Sequence, residues 1–320
     1  MEAHIDQRSL DKTCQRKLYN MHIGILSRGP QLYSTQSLVR AAEARGHRAV
    51  IVDHTRCNLV LDQGRPMVYY DNYPLDYLDA IIPRIGSSVT GLGASVISHF
   101  ELMGVATTTS SEALLRARNK LRSLQHVSAM GLPIPHTVMV GSGQDFGMMA
   151  DRVGGLPAIV KLLEGTHGIG VVLVETYHML TATIEAFQRL EQRVLIQEFI
   201  REAEGADIRA FFIDGEVVAS MRRQARPGEF RSNLHRGASA TPVTLAEADV
   251  QLVKDIARAM QLEVAGVDLI PSNRGLLVME VNASPGLEGI EGATGVDVAD
   301  HFIQLVERKV AAQSYLAANF

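Results

Sequence analysis

Apolar residues come in short runs from Met21 onward, and these runs alternate with longer stretches that have helical periodicity. In the first hundred residues the runs are bounded by turn residues, which predicts strands. Short apolar strands that alternate with helices favour a buried parallel sheet. The pattern predicts strands at 22–26, 49–52, 80–82 and 105–108, and helices at 34–45 and 95–103, the first capped by Ser34 and followed by Gly46.

The remainder of the chain has a different pattern, with antiparallel hairpins. Asp214-Gly215 is a turn signal of the type I′ class, and it separates the apolar runs 208–213 and 216–221. Thr244 and Glu247 have the spacing of a capping box for a helix that ends near 261. The other predicted elements are helices at 113–130, 179–190 and 298–311 and strands at 158–163, 170–175, 194–199, 265–270 and 276–281. This part is therefore α+β, whereas the first part is α/β.

Composition narrows the class of protein. The 320 residues are 46% hydrophobic and carry a net charge of −4, which excludes a disordered chain and an indiscriminate nucleic-acid binder. No apolar run approaches the roughly 18 residues that a membrane helix needs, so we expect no membrane partner. Two cysteines in unrelated segments form neither a disulfide framework nor a zinc site, which favours a cytoplasmic protein.

The patterns divide the chain into four parts. Residues 1–20 show no strand alternation and no signal-peptide core, so we expect a disordered and dispensable extension. Residues 21–112 form the predicted parallel-sheet lobe. Residues 113–200 and 201–320 form the two predicted parts of the α+β region.

Three oxygen-bearing side chains lie on two successive predicted strands. Glu280 and Asn282 are two positions apart and share one face, and Asp268 lies on the preceding strand. Two carboxylates and one amide oxygen suit Mg²⁺ or Mn²⁺. The alternative is an exposed polar strand face, but the run 276–281 is too apolar for unpaired acids. The pattern favours a metal site.

A lysine and a strand end indicate where phosphates and a base could bind. Lys161 lies within an apolar strand, so it needs an anionic partner or must extend to water, and a glycine-rich turn follows at 164–170. The run 197–200 ends a strand, where exposed backbone groups can read an adenine edge, and Asp207 follows. The alternative for this second segment is a plain exit from strand to loop.

Charge is unevenly distributed along the second half. Five arginines and one acidic residue occur between Arg222 and Arg236, and seven acidic residues and one base lie between Glu263 and Asp300. Such runs are often solvated faces. They also suit a site that binds carboxylates and phosphates through arginine forks.

Taken together, these segments resemble the ATP-grasp carboxylate–amine ligases, and among them the RimK-type ribosomal-protein glutamate ligases. The resemblance runs from Met21 to about Lys309. The segments that carry it are 82–86 (IPRIG), 117–122 (ARNKLR), 160–171 (VKLLEGTHGIGV), 197–200 (QEFI), 207–209 (DIR), 230–237 (FRSNLHRG), 265–268 (AGVD) and 279–291 (MEVNASPGLEGIE).

The resemblance implies an ATP-grasp fold with an N-terminal Rossmann-like, pre-ATP-grasp lobe, and a site for ATP and two Mg²⁺ or Mn²⁺ ions. It assigns catalytic roles to Lys161, Arg209 and Arg222 and places the metals on Asp268, Glu280 and Asn282. It makes the turn 165–170 a mobile lid. The nucleotide would be bound by Lys120, Lys161, Glu198, Phe199, Asp207, Arg231, Ser232 and Asn233.

The implied reaction adds L-glutamate to the acidic C-terminus of small-subunit ribosomal protein number six, or to a growing glutamate chain, through an acyl phosphate. The resemblance also implies a homo-oligomer, for example a tetramer. A related ligase that acts on a small metabolite and a nucleotide-binding regulatory module are the alternatives. Four arginines of the charged stretch (222, 223, 226 and 236) have no nucleotide role by resemblance, so we expect them to bind the acidic acceptor.

Overall fold

The computed structural model describes residues 20–141, 143, 145–163 and 170–319. The chain forms two compact units. The first combines the described residues up to Leu115 with Ser284–Glu291 and the described residues from Gly295 onward, and the second comprises Arg116–Ala283 and Gly292–Thr294. The predicted division had kept everything after 201 in one part, whereas the structure groups the C-terminal helix with the first unit.

The first unit contains the predicted parallel sheet. The order of its strands is β2-β1-β6-β7 and every neighbouring pair is parallel. Ile23, Ile25 and Leu26 of the central strand are fully buried. The elements up to residue 118 are β1 (His22–Leu26), α1 (Tyr33–Ala44), β2 (Arg48–Val52), β3 (Cys57–Asp62), β4 (Arg65–Tyr70), β5 (Tyr73–Pro74), β6 (Ala80–Pro83), α2 (Thr90–Leu102), β7 (Ala106–Thr107) and α3 (Ser111–Arg118).

A separate antiparallel sheet, with the order β3-β4-β5, was missed by the sequence pattern. Most of β3 is exposed, so its apolar residues do not alternate with polar ones as they do in a half-buried strand. The turns of this sheet use left-handed residues at Gln63, Gly64, Asp71 and Asn72. A turn signal was therefore present at both corners.

The second unit contains two antiparallel sheets, with the orders β10-β9-β11-β8 and β14-β13-β12-β15-β16. The predicted hairpin at Asp214-Gly215 is confirmed, and both turn residues have positive φ. The elements are α4 (Lys120–Ala129), β8 (Thr137–Met139), α5 (Phe146–Asp151), β9 (Ala158–Leu162), β10 (Val171–Val174), α6 (Tyr177–Arg189), β11 (Val194–Glu198), β12 (Ala206–Ile213), β13 (Glu216–Gln224), β14 (Ser239–Pro242), α7 (Glu247–Met260), β15 (Val264–Ser272) and β16 (Gly275–Asn282). Two further helices follow, α8 (Glu288–Thr294) and α9 (Val298–Asn319).

The predicted helix at 113–130 is two helices, because the chain breaks at Asn119. The backbone of Asn119 is extended, and its side-chain oxygen accepts a hydrogen bond from the N–H of Arg122 at 3.0 Å. This cap begins α4 at Lys120. The break therefore places the positively charged Lys120 at the first position of α4.

Two predicted helix caps are wrong. Helix α1 begins one residue earlier than expected, with Leu32 at its N-cap, and the Ser34 hydroxyl accepts from the N–H of Leu287 instead. Helix α7 has Ala246 at its N-cap and no side-chain cap, so Thr244 does not form the predicted box. At Ser34 a tertiary contact takes the place of the local cap that the pattern indicated.

Among the described residues, no helix is long and apolar enough to cross a membrane.

Candidate functional site

One pocket in the second unit collects most of the residues that the sequence singled out. Its walls come from both sheets of the unit and from the start of α4. The sequence-predicted residues that line it are Lys120, Lys161, Glu198, Phe199, Asp207, Arg231, Ser232, Asn233, Asp268 and Glu280. The pocket thus brings together residues that are up to 160 positions apart in the chain.

Two lysines lie on one side of this pocket. Lys161 leaves β9 in the middle of the sheet, and its Nζ donates to Gln197 Oε1 at 2.6 Å. Burial lowers the pKa of Lys161 to about 8; nearby Glu280 opposes this shift, and nearby Lys120 adds to it. Gln197 is held in turn by Thr137, to whose hydroxyl its amide donates at 2.8 Å. An ammonium whose hydrogen-bond partner here is a neutral amide is suited to meet an anionic ligand.

Apolar side chains form another wall of the pocket, next to the end of β11. Phe199 and Phe230 meet edge to face with their ring centroids 6.4 Å apart, and Ile159 and Ile270 line the same space. The side chain of Glu198 is turned to the neighbouring loop, where it accepts from the N–H of His136 and from Arg274. Because the Glu198 side chain is engaged in these contacts, the main chain at the end of β11 is the part that can face a flat heterocycle.

Next to these walls lies a cluster of two arginines and two aspartates, of which Arg223, Asp207 and Asp268 are buried and Arg209 is half-buried. Arg209 makes a two-pronged contact with Asp268, with both N···O distances 2.6 Å. Arg223 contacts Asp207 in the same manner and also reaches Asp268 Oδ2 at 3.2 Å. Arg223 therefore joins the two carboxylates.

The electrostatics of this cluster follow from burial and pairing. Burial opposes ionisation of Asp268, but Arg209 and Arg223 outweigh it and hold the pKa of this carboxyl below its usual value. At Asp207 burial dominates and raises the pKa, although Arg223 and Ser232 oppose the shift. Asp268 is therefore the carboxylate of this pair that stays charged most readily.

The predicted metal-ligand set is brought together by strand register. Asp268 of β15 lies directly opposite Glu280 of β16, and Gly266 lies opposite Asn282. A bulge follows Asp268, where the register of the two strands shifts. The predicted cross-strand placement of these three residues therefore agrees with the ladder.

The three residues fit a hard divalent cation. The buried Nδ2 atom of Asn282 has no hydrogen-bond partner within the described part of the chain. A half-turn of the amide exchanges this nitrogen for Oδ1, which is a suitable ligand atom. Asp268 accepts from two arginines, but a carboxylate offers about four lone-pair sites, so arginine contacts do not exhaust it. Glu280 provides a second carboxylate on the same ladder.

Three arginines are placed differently from what the sequence suggested. Arg222 is exposed and points away from Arg223, because successive strand residues face opposite sides, and it does not line the pocket. Arg209 contacts Asp268 without lining the pocket. Arg223 is only 3% exposed, and its guanidinium is engaged by Asp207 and Asp268, whereas its expected role in binding the acceptor stays a prediction.

The rest of the arginine-rich stretch is not a continuous basic surface. Arg231 pairs with Glu229 at 2.8 Å, and Arg236 lies 4.0 Å from the same carboxylate. Arg226 donates to the carbonyl of Gly237 at 3.0 Å. The glycine-rich turn that was expected to act as a lid lies largely outside the described residues, at 164–169.

The sequence interpretation missed two pocket residues. Gln197 was noted only as part of a strand end, yet it holds Lys161. Phe230 was noted only as part of a motif, yet its ring packs on Phe199 and lies 5.3 Å from the guanidinium carbon of Arg231. Alternation along β11 was an available signal for Gln197, since it shares a face with Leu195.

Family models and curated relatives assign this chain to the same family. The model of the RimK-like ATP-grasp domain matches residues 117–306, and that of the RimK pre-ATP-grasp domain matches residues 21–114. A curated protein of Shewanella denitrificans, named "Probable alpha-L-glutamate ligase 2", is 51% identical over 92% of this chain and 98% of its own length. A protein of Syntrophotalea carbinolica named "Probable alpha-L-glutamate ligase" is 51% identical over 90% of this chain and 96% of its own length.

Solved structures share the fold at low sequence identity. The ATP-grasp ligase PsnB, in complex with a variant precursor, Mg and ADP, matches with a TM-score of 0.72 at 20% identity and covers 91% of this chain and 99% of its own. The D-alanine–D-alanine ligase of Coxiella burnetii matches with a TM-score of 0.68 at 15% identity, over 94% of this chain and 97% of its own. The predicted ATP-grasp fold is confirmed.

Proposed function

The chain belongs to the RimK-like ATP-grasp family and is an ATP-dependent ligase, and we propose that it joins L-glutamate to the carboxyl group of an acidic acceptor. The proposed acceptor is the C-terminal glutamate of small-subunit ribosomal protein number six, or the end of a growing glutamate chain. The observation that carries the proposal is the pocket in which Asp268 faces Glu280 across one ladder, with Lys120 and Lys161 in the same walls.

The proposed chemistry activates a carboxylate. A carboxylate oxygen of the acceptor attacks the γ-phosphorus of ATP, the bond to the bridging oxygen breaks, and ADP leaves. The amino group of glutamate then attacks the acyl carbon, loses a proton and displaces inorganic phosphate, which forms the amide. The first step brings two anions together, so fixed positive charge must stabilise its transition state.

Residues of this chain can supply that charge. Lys120 and Lys161 are proposed to contact the phosphates, because both line the pocket and Gln197, to which Lys161 donates, is a neutral partner. Arg209 is proposed to orient Asp268 through its two-pronged contact. The apolar wall around Phe199 and Phe230 is proposed to take the adenine ring.

The metal is proposed to be held by Asp268, Glu280 and Asn282. A divalent ion bound there would neutralise phosphate charge, and two ions are expected from the family resemblance. Arg223 would also help to orient Asp268, since it contacts both Asp268 and Asp207. The arginines thus set the geometry of the carboxylate that would bind the ion.

Two curated relatives that are 51% identical over nearly the whole chain are named as probable alpha-L-glutamate ligases, and these names support glutamate as a substrate. The support for an acidic acceptor is the resemblance to the RimK-type ligases, whose model matches residues 117–306. A cytoplasmic location and a homo-oligomeric state remain part of the proposal.

The reaction is tested by ADP release in assays that omit glutamate, the acceptor or the divalent ion in turn. We expect release to depend on all three. An acceptor labelled with ¹⁸O in its carboxyl group should transfer one labelled oxygen to the released phosphate, because the attacking oxygen stays on phosphorus. Release that does not depend on glutamate, or phosphate without label, would contradict the proposal.

A further inference from the structure

The first unit has an edge at which cationic groups collect outside the pocket described above. In its parallel sheet the chain passes from β1 to β2 on one side and returns to β6 on the other. The carboxyl ends of β1 and β6 therefore lie side by side, with the N–H of Arg84 donating to the carbonyl of Leu26 at 3.0 Å. Crevices at such switch points of open α/β sheets are where ligands bind.

An arginine follows each of these two strands. Arg28 comes two residues after β1, is exposed, and donates from Nη2 to Ser88 Oγ at 3.2 Å. Arg84 directly follows β6, is half-buried, and donates from Nη2 to the carbonyl of Pro285 at 2.6 Å. Gly86 leaves room for the first guanidinium, because a Cβ atom there would lie 3.0 Å from Arg28 Nη2.

The helices that begin at this edge add positive potential. Neither α1 nor α2 has a side-chain cap or an acidic residue in its first turn. The N-terminus of a helix carries a partial positive charge, and its first N–H groups have no partner within the helix. Two helices that start beside two arginines favour a bound anion.

The acidic groups around this edge already have partners. Asp53, after β2, accepts from both the N–H and the hydroxyl of Thr55. Glu291 accepts from the Ser37 hydroxyl and from the N–H of Ala299. Each of these two carboxylates is therefore held by hydrogen bonds within the first unit.

A buried histidine also lies at this edge. His54 follows β2, is fully buried, and has no hydrogen-bond partner for either ring nitrogen among the described residues. Burial lowers the pKa of His54, and Arg28 lowers it further, although Asp53 opposes the shift. The ring is therefore held neutral and adds no charge to this edge, so the attraction for an anion there comes from Arg28 and Arg84.

We propose that Arg28 and Arg84 form a carboxylate-binding site at the switch point of the first unit, which holds a carboxyl group of an amino-acid or peptide substrate. This inference rests on the proposed function, which supplies substrates of that class. Arginine forks suit carboxylates because two N–H groups meet two oxygens. The carboxylate comes either from free L-glutamate or from the acidic acceptor, and the test below separates these two sources.

The test compares Arg28→Gln, Arg84→Gln and the double variant with Arg48→Gln. Arg48 is exposed at the start of β2, at the opposite end of the same sheet, so it is a matched control. The measured quantities are the KM values for ATP, for L-glutamate and for a glutamate-ended peptide. We expect the KM of one carboxylate substrate to rise about tenfold or more in each single variant, while the KM of ATP and the control stay unchanged.

The substrate whose KM rises identifies the source of the carboxylate. Arg28→Lys should give an intermediate loss, because it keeps the charge and loses the fork. Gly86→Ala should give a smaller loss, because its φ of −75° accepts alanine and only the Arg28 guanidinium must shift. Unchanged KM values for both carboxylate substrates in the double variant would overturn the site.

A direct binding measurement keeps this test separate from the proposed function. If the wild-type protein does not ligate glutamate, the function fails, and the site is then judged by calorimetry with L-glutamate and triglutamate. Binding that the double variant loses and Arg48→Gln retains would support the site. Absence of binding to the wild-type protein, or equal binding to the double variant, would overturn it.

Discussion

Glu280 is the single residue on which the proposed chemistry depends most. It lies opposite Asp268 in the β15–β16 ladder, lines the pocket, and is close enough to Lys161 to oppose the lowering of that pKa. Because its carboxylate would ligate the divalent ion, Glu280→Gln should reduce ligation by about 10²-fold or more without unfolding the chain. Steady-state ADP release and Mn²⁺ titration, with a melting curve as the control, test this. Near-normal turnover at saturating magnesium would contradict the metal assignment.

Arg223 is a buried structural contact between two carboxylates, and its loss should therefore affect stability. Replacing it with glutamine leaves Asp207 and Asp268 buried with less compensation, so Arg223→Gln should lower the free energy of unfolding by about 3–5 kcal/mol. Arg222→Gln, on the exposed face of the same strand, is the matched control and should change it by less than about 0.5 kcal/mol. Urea denaturation distinguishes the two variants. Equal changes in the free energy of unfolding would contradict the stabilising contact of Arg223 with Asp207 and Asp268.

Lys161 should give nucleotide binding an alkaline limit. Its pKa is lowered to about 8, so the ammonium loses its proton as the pH rises through that value. Polyphosphate binds the charged form more tightly, and its own last proton dissociates near pH ~6, so the affinity for ADP should fall above pH 8. Calorimetric titrations on either side of pH 8 test this, with Lys161→Met as the variant that should bind weakly and lack the step. A wild-type affinity independent of pH would contradict this role.

Individual site residues were predictable where strand periodicity controls them. Glu280 and Asn282 share a face because they are two positions apart, and that rule needs no tertiary information. The pairing of Arg223 was not predictable, because it depends on which strands become neighbours. A charge run in sequence gave no indication that one arginine would be buried between two aspartates while the next faced solvent.

At the scale of elements, the break between α3 and α4 positions Lys120. Asn119 caps α4, and this cap starts the helix at the pocket. Asn119→Ala should cost about 1 kcal/mol of stability and weaken ATP binding, because Lys120 loses its fixed position. Asn119→Asp keeps an oxygen acceptor and is the control. Urea denaturation and the KM for ATP are the measurements. An unchanged KM in Asn119→Ala would show that the cap does not position Lys120 for ATP binding.

Elements with a buried face were predicted well, and the largely exposed elements were not. Strand β1 was predicted with its observed bounds, because its apolar residues are buried on both sides of the sheet. Strand β3 was missed, since most of its residues are exposed. The helix caps failed for another reason: Ser34 had a tertiary partner in the N–H of Leu287, and tertiary contacts override local capping patterns.

At the scale of the whole molecule, contacts distant in sequence decide the grouping. Arg45 of the first unit pairs with Glu307 and Asp300 of α9, and His47 also contacts Glu307. These ion pairs link residues more than 250 positions apart, so a linear division of the chain could not assign the C-terminal helix to the first unit. The spacing of the apolar residues, by contrast, was sufficient to predict an α/β first part and an α+β second part.

The most direct test of the account is mass spectrometry of a peptide with the C-terminal sequence of small-subunit ribosomal protein number six. The peptide is incubated with the full chain, ATP, Mg²⁺ and L-glutamate, and with the Glu280→Gln variant as the control. We expect mass increments of whole glutamyl units with the wild-type chain and none with the variant. An unmodified peptide, while the same chain releases ADP with glutamate and a small metabolite, would contradict it.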